Sequence, residues 1–437
     1  MTDEDREFLK GVYQTLQDRP LEAGDPLYEP VYSHEGCEDP VDLLYGAIRY
    51  CETDSVHLFS GFKGSGKTTE LYRLTQLLRD KGYTVLYASA LDFVNPAASI
   101  DITVLLFAIA NAFEEALRRE GLEITGDGYA VRFWNWLTRT NVDLKEIGLK
   151  AGADLKFELR DTPLFREKLS NALKGRTAEL HGEVIAFVED GVKAIRKARG
   201  EDVRVVFLFD SLEQLQGDVG DEGVMDSIVH VFANFFKFLE LNYLHVVYTV
   251  PPWLKFRLPT MPVPVRLLPC LRLWDRDSQR PTFAHGIAAL RRLVDRRLPG
   301  RGLNRLLGEK PQHTVDRLIE LSGGHFRDLL FLLREIVLHA RSLPVTLDTV
   351  ESSILSVRSQ FLPISLDDAR WLAEIERERG TTPLKSRETK EIRRLTFLLD
   401  HHYVLFLRNG EDWYDVHPLI RDEVLRIAKS AEPTRTT

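Results

Sequence analysis

The residues of this sequence that are best suited to chemistry are glycines, a lysine and hydroxyl residues closely spaced within one short stretch. They are Gly61, Gly64, Ser65, Gly66, Lys67, Thr68 and Thr69. Glycines at this spacing let the backbone turn tightly, so that successive N–H groups can point at phosphate oxygens. Lys67 can add a positive charge beside those phosphates, and the Thr68 hydroxyl can ligate Mg²⁺. The pattern fits a phosphate-binding P-loop at every fixed position.

The flanking residues supply the elements that such a loop needs. The apolar run Ser55–Ser60 predicts a short strand before the loop, and Leu71, Leu74 and Leu78 recur at helical spacing after it. A helix that begins at the loop places its positive N-terminal end against the same anion. The strand–loop–helix context therefore supports phosphate binding over a chance glycine-rich turn.

A second group of candidates follows the apolar strand 203–209. Asp210 ends this strand and is a candidate Mg²⁺ ligand, since ligands of open α/β sheets bind at the carboxyl ends of the strands. Glu213 could orient or deprotonate an attacking water. The alternatives are a helix N-cap for Asp210 and a solvated first-turn side chain for Glu213.

Three further residues have weaker claims. Thr249 ends the next apolar strand and could contact a γ-phosphate, or could simply cap a turn. Arg327 follows the glycine pair 323–324 in the first turn of a predicted helix, where it could reach a phosphate or form a surface salt bridge. Asp92 lies at the end of another strand, 84–88.

The order of the elements predicts the fold class. Apolar strands alternate with helices up to about residue 280, which predicts an α/β fold with a doubly wound parallel sheet. The additional strands are 84–88, 203–209, 244–250 and 263–273, and Ile102–Arg119 is predicted to be a long, largely buried helix. An insertion is expected near 120–200, where Asp143–Leu159 predicts a hairpin or a helix.

Helices predominate after about residue 280. The last segment predicts a helix over Thr389–Leu399, two short strands around Asn409-Gly410, and a helix from Pro418. Helices followed by such a hairpin are typical of a winged helix. His401, His402 and His417 lack helical metal-ligand spacing and are expected to be structural.

Charge and composition exclude several classes. Hydrophobic residues make up 44% of the 437, which excludes a largely disordered chain. The net charge of −8 is carried by residues 1–50, so no global basic field exists for nucleic-acid binding. A local basic stretch, 285–310, predicts a solvated lid helix, a DNA contact or an arginine acting in a neighbouring subunit. The three cysteines, the acidic N-terminus and the lack of a long apolar run predict a soluble, cytoplasmic protein.

Together these motifs resemble the AAA+/STAND group of P-loop ATPases, within it the origin-recognition-like and archaeal-type ATPases. The resemblance implies ATP and Mg²⁺ as cofactors, with Mg²⁺ held by Thr68 and Asp210. It also implies a sensor role for Thr249 and a phosphate-contacting role for Arg327. Most AAA+ members have Glu directly after the Walker B aspartate, whereas this chain has Ser211. Glu213 is the substitute candidate for the catalytic base.

The expected organisation has four parts. They are an acidic leader (1–50), an ATPase core (51–280), a helical lid (281–345) and a winged-helix-like domain (346–437). The leading hypothesis is a slow ATPase that acts as a molecular switch and couples its nucleotide state to a protein partner, with a homo-oligomer left open. The alternative is an ATP-regulated DNA-binding initiator or regulator. A small-molecule kinase would leave the helical C-terminal half unexplained.

Overall fold

The computed structural model describes residues 1–33, 38–122, 128–139, 160–215, 222–258, 260–277, 279–386 and 388–430. The chain divides into two compact units. The terminal unit comprises Met1–Pro40, Gly61–Tyr72 and Leu268–Thr437, and the sheet unit comprises Val41–Ser60 and Arg73–Leu267. No helix in the described ranges combines the length and apolarity that a membrane crossing requires.

The sheet unit is built on five strands. They are β1 (Ser55–Gly61), β2 (Thr84–Ser89), β3 (Val205–Asp210), β4 (His245–Thr249) and β5 (Val265–Leu268), in the spatial order β2-β3-β4-β1-β5. The pairs β2–β3, β3–β4 and β4–β1 are parallel. The carboxyl ends of these four strands therefore lie at one edge of the sheet. This arrangement confirms the predicted P-loop α/β fold class.

The chain contains helices of very different lengths. Those described are α1 (Asp3–Thr15), α2 (Pro40–Tyr50), α3 (Lys67–Asp80), α4 (Ile102–Arg119), α5 (Tyr129–Arg139), α6 (Pro163–Ala172), α7 (Thr177–Arg199), α8 (Glu222–Asn234), α9 (Leu254–Arg257), α10 (Ala284–Arg297), α11 (Gly302–Leu307), α12 (Pro311–Ser322), α13 (Phe326–His339), α14 (Leu347–Ser359), α15 (Leu366–Glu378), α16 (Thr389–Asp400) and α17 (Arg421–Ser430). Helices α5, α6 and α7 occupy the region of the predicted insertion, and the expected hairpin or helix at Asp143–Leu159 lies outside the described residues.

The core of the sheet unit explains why its strands read as continuous apolar runs. Every residue of β3 and β4 is buried, which is typical of strands covered on both faces. Helix α4 is buried along most of its length and packs against α7 and β2. Its Phe113 meets Phe187 of α7 and Phe207 of β3 edge-on. These aromatic contacts fix the helices on the sheet and hold the strand ends in place.

The terminal unit contains α10 to α17 and one antiparallel hairpin. Its strands are β6 (Val404–Asn409) and β7 (Glu411–Val416), paired from Val404↔Val416 to Asn409↔Glu411. Gly410 alone separates the strands and has a φ of 86°, which a glycine adopts without strain. A hairpin is thus present where the Asn-Gly turn predicted one. The assignment of the region as a winged helix stays a prediction.

Residues 1–40 of the acidic leader and the basic stretch 285–310 belong to the terminal unit, where some of their side chains pair with each other. Glu29 is 7% exposed, and its two carboxylate oxygens accept hydrogen bonds from Arg292 and Arg296 of α10, each at 2.7 Å. Arg305 pairs with Asp5 at 3.1 Å, and Arg291 pairs with Asp316. Two acidic side chains of the leader, Glu29 and Asp5, are therefore paired with arginines of the basic stretch within this unit.

We expect Glu29→Gln to lower the free energy of unfolding by about 1–2 kcal/mol near neutral pH, because two charge-assisted hydrogen bonds to half-exposed arginines weaken. Burial alone would raise the pKa of Glu29, but hydrogen bonds from Arg292 and Arg296 bring it below 4.5. The stabilisation should therefore persist above about pH 4.5 and disappear as pH falls further. Urea unfolding measured across this range checks both statements.

The matched control is Glu22→Gln, which removes an exposed carboxylate from the same segment. It should leave the free energy of unfolding within about 0.5 kcal/mol of the wild type. Equal losses in the two variants would contradict a specific role for Glu29.

Candidate functional site

The P-loop begins at Gly61, the last residue of β1, and ends where Lys67 opens α3. Gly64 and Gly66 have φ values of 84° and 85°, in the left-handed region that favours glycine. The Ser65 N–H donates to the Phe62 carbonyl at 3.1 Å and closes the turn between them. Lys67 is 9% exposed and stands at the helix N-terminus. The loop thus adopts the backbone that its glycine spacing predicted.

Ser65 provides a test of whether the loop suits a phosphate ligand. Its side chain is 2% exposed, and its hydroxyl oxygen has no hydrogen-bond partner among the described residues. Buried hydroxyls in folded proteins are nearly always satisfied. A phosphate oxygen, or water bound to Mg²⁺, would satisfy this hydroxyl, so the loop fits the group that its sequence implies.

The N-terminus of α13 lies directly against this loop, within the terminal unit. A Cβ atom added at Gly64 would be 2.8 Å from the Arg327 Cβ and 2.8 Å from His325 Cε1. A Cβ added at Gly66 would be 3.3 Å from the Phe326 ring. The structure therefore places Arg327 beside Gly64. Arg327 also forms an ion pair with Asp18, the salt bridge that the sequence left open as its alternative.

Gly324 makes this approach of α13 possible. It has a φ of 79°, and a Cβ there would be 1.9 Å from the Leu271 carbonyl oxygen. Only glycine fits at that distance, so the chain can turn sharply just before His325. The glycine pair thus has a steric reason that sequence spacing alone did not reveal.

The N-terminal segment reaches the first turn of α3. The Leu21 N–H donates to the Thr69 hydroxyl at 3.1 Å, and the Tyr28 hydroxyl donates to Glu70 at 3.3 Å. Thr69, a predicted cofactor-binding residue, thus holds the leader in place. An open cleft of about 670 Å³ lies here, between residues 19–25 and Tyr72 of α3.

The sheet unit carries the other candidates, with Asp210 at the end of β3. This carboxylate is fully buried and accepts hydrogen bonds from the Tyr87 hydroxyl and the Ser211 N–H, each at 2.7 Å. Ser211 has a φ of 74°, a strained conformation for a residue other than glycine. Two donors therefore hold Asp210 in one orientation. Sequence reasoning missed Tyr87 because it lies on another strand, where only the sheet register reveals its proximity to Asp210.

Thr249 ends β4 and has a structural hydrogen bond. Its hydroxyl oxygen accepts from the Leu212 N–H at 3.2 Å, which ties β4 to the short 3₁₀ turn Leu212–Gln214. Glu213 lies on that turn and is 8% exposed. Thr249 therefore positions the turn that carries Glu213, while the catalytic roles of both residues stay predictions. Asp92 is half-exposed and pairs with Arg119 at 3.7 Å.

Sequence reasoning also missed a buried cluster of ionisable residues in the terminal unit. It comprises His325, Asp328, His402 and His417. Its members come from three separate segments, so no local spacing could indicate it. Of the histidines expected to be structural, His402 and His417 belong to the cluster, whereas His401 is exposed.

Three solved structures are similar to this chain. The Walker-type ATPase of Pyrococcus abyssi is 12% identical with a TM-score of 0.41, covering 94% of this chain and 99% of that one. The ORC2 protein of Aeropyrum pernix, in ADPNP–ADP complexes, is 12% identical with a TM-score of 0.40, covering 95% and 96%. Cdc6p from Pyrobaculum aerophilum is 13% identical with a TM-score of 0.34, covering 90% and 92%. No family model and no curated protein sequence matches the chain.

Substituting alanine at two glycines with the same backbone conformation separates strain from crowding. Gly64 and Gly82 both have a φ of 84°, but a Cβ at Gly82 would meet nothing within 4 Å. We expect Gly82→Ala to cost about 1–2 kcal/mol from the left-handed conformation alone. Gly64→Ala should cost about 1–3 kcal/mol more, because Arg327 and His325 must move. Urea unfolding measures both costs, and equal values would contradict the close packing of α13 on the loop.

Proposed function

We propose that this protein binds ATP with Mg²⁺ at its P-loop, hydrolyses it slowly, and uses its nucleotide state as a molecular switch. The observation that carries the proposal is the loop itself. It has the required glycine conformations, a buried lysine at a helix N-terminus and a buried serine hydroxyl that lacks a partner among the described residues.

Each candidate residue has a proposed task. The loop from Gly61 to Gly66 cradles phosphate oxygens with its N–H groups, and the Lys67 ammonium balances their charge. The Thr68 hydroxyl and the Asp210 carboxylate would hold Mg²⁺. The bound ion would neutralise negative charge on the phosphates. Tyr87 and the Ser211 N–H hold Asp210 ready for this task.

The remaining tasks concern water and the response to nucleotide. Glu213 orients the attacking water and accepts its proton, on a turn that Thr249 holds in place. Arg327 acts as the nucleotide-sensing residue, because it lies beside Gly64. A change at the loop then alters the packing of α13, which transmits the nucleotide state through the C-terminal region to a protein partner.

The alternative of an ATP-regulated DNA-binding protein is not favoured. It rests on the predicted winged helix and on the basic stretch 285–310, whose arginines could contact DNA phosphates. Four of them, Arg291, Arg292, Arg296 and Arg305, form salt bridges within the terminal unit. DNA would have to compete with these carboxylates for each phosphate contact.

We expect Lys67→Ala to weaken ATP binding by about 100-fold, since a charge-assisted contact to phosphate contributes about 1.5–3 kcal/mol. The matched control is Lys63→Ala, which removes an exposed lysine from the same loop at a position that the motif leaves free. It should change the affinity less than about threefold. A fluorescent ATP analogue titrated into both variants measures the difference. Wild-type affinity in Lys67→Ala would overturn the proposed function.

The two carboxylates of the sheet unit should respond differently to removal of their charge. Glu213→Gln should bind ATP–Mg²⁺ normally but turn over about 10²–10⁴-fold more slowly, as expected for loss of a general base. Asp210→Asn should weaken Mg²⁺-dependent binding as well as turnover, because a metal ligand loses its charge. Single-turnover hydrolysis and ATP binding, measured side by side, separate these effects.

Asp92→Asn is the control, since it removes a half-exposed carboxylate that pairs with Arg119. It should leave binding and turnover unchanged. Hydrolysis at the wild-type rate in Glu213→Gln would place the base elsewhere in the chain.

A further inference from the structure

Three histidines surround a single carboxylate in the interior of the terminal unit. One Asp328 oxygen, Oδ2, lies 2.9 Å from His325 Nδ1, 3.1 Å from His402 Nδ1 and 3.1 Å from His417 Nε2. All four residues are buried. A buried carboxylate needs hydrogen-bond donors or a positive charge beside it.

The outer nitrogens of two histidines determine where their hydrogens lie. His325 Nε2 and His402 Nε2 are 3.0 Å and 2.7 Å from the Lys63 carbonyl oxygen of the P-loop. A carbonyl oxygen only accepts, so both Nε2 atoms must carry hydrogens. In the neutral tautomers of both rings, Nδ1 then has a lone pair that faces the Asp328 carboxylate.

His417 is bound differently. Its Nδ1 accepts a hydrogen bond from the Leu419 N–H at 3.3 Å, so its Nε2 carries the hydrogen and donates to Asp328. The neutral ring thus satisfies both neighbours. His417 orients the carboxylate, and the positive charge is needed only between Asp328 and the other two rings.

Protons on the His325 and His402 rings would not give every polar atom of the cluster a partner. His325 Nδ1 has no hydrogen-bond partner among the described residues, although it lies 2.9 Å from the carboxylate, because the direction is wrong for a hydrogen bond. Protonating both rings would place two charges on imidazoles whose centroids are 3.9 Å apart.

We propose that His325 Nδ1, His402 Nδ1 and an Asp328 carboxylate oxygen bind a divalent transition-metal ion, with zinc as the best match. One ring nitrogen of each histidine and one Asp328 oxygen lie within 4.8 Å of one another. Tetrahedral zinc ligands at about 2.0–2.1 Å are about 3.3 Å apart, so small shifts would accommodate the ion. Two imidazoles and a carboxylate suit zinc, and metal-bound histidines commonly donate their other N–H to a carbonyl, as both do here to Lys63.

The metal would fasten three parts of the terminal unit at one point. His325 and Asp328 come from the start of α13, and His402 follows α16 with a left-handed φ of 60°. Through Lys63 the two rings also hold the P-loop. A bound ion would therefore stabilise the packing of Arg327 against the loop, whether or not nucleotide is present.

The test uses full-length protein without a histidine tag, first treated with a chelator. Calorimetric titration with Zn²⁺ should give one site per chain, and Co²⁺ should give the visible absorption of a low-coordinate site. His325→Gln and His402→Gln should each weaken binding at least about 10-fold, since a ligand is lost. His401→Gln removes an exposed neighbouring histidine and should bind like the wild type.

Two further measurements make the result decisive. Asp210→Asn and Lys67→Ala should retain zinc binding, so failure of the nucleotide proposal leaves this one standing. Zinc should also raise the melting temperature of the wild type and of His401→Gln, but not that of either ligand variant. Absence of Zn²⁺ and Co²⁺ binding in the wild type overturns the proposal and assigns protons alone to the cluster. Equal binding in the ligand variants also overturns it. If one ligand variant does not fold, the other decides.

Discussion

The close contact between the P-loop and the start of α13 is the constraint on which much of the terminal unit depends. Gly64 has no side chain, and this lets Arg327 and His325 occupy the space that a Cβ would take. A Cβ atom at Gly324 would likewise clash with the Leu271 carbonyl oxygen. Both glycines adopt positive φ angles. Each position therefore needs glycine for its backbone conformation and also because there is no room for a side chain. The loop that should bind phosphate is therefore also a packing surface for the helix that should sense it.

The sequence was sufficient for features that depend on neighbouring residues. The P-loop, the bounds of Ile102–Arg119 and the hairpin at Gly410 all follow from local spacing, apolar periodicity and turn chemistry. Contacts between distant segments could not be predicted from the sequence. Tyr87 reaches Asp210 only because β2 and β3 are in register, and His402 reaches Asp328 across 74 residues. The predicted sensor Thr249 bonds to Leu212, a partner that its position at a strand end could not indicate.

Charge in this chain is arranged for internal pairing. The acidic leader and the basic stretch look like separate features in the sequence, one suggesting repulsion and the other attraction to nucleic acid. In the terminal unit they meet, and Glu29 is buried between two arginines of α10. Such a pair fixes the position of a segment more than it adds stability, because desolvation offsets much of the attraction. The leader thereby keeps Leu21 and Tyr28 at the first turn of α3.

Polar contacts also fix the position of the P-loop backbone. Lys63 has an exposed side chain, yet its carbonyl oxygen accepts from two buried histidines. A loop that must bind and release an anion benefits from a rigid backbone, since disorder would raise the entropic cost of binding. Two N–H donors on one carbonyl provide this rigidity only while both rings keep their orientation. Asp328 lies on the other side of both rings, so any cation held there acts on the loop through two hydrogen bonds. This is the physical route by which the cluster and the P-loop can influence each other.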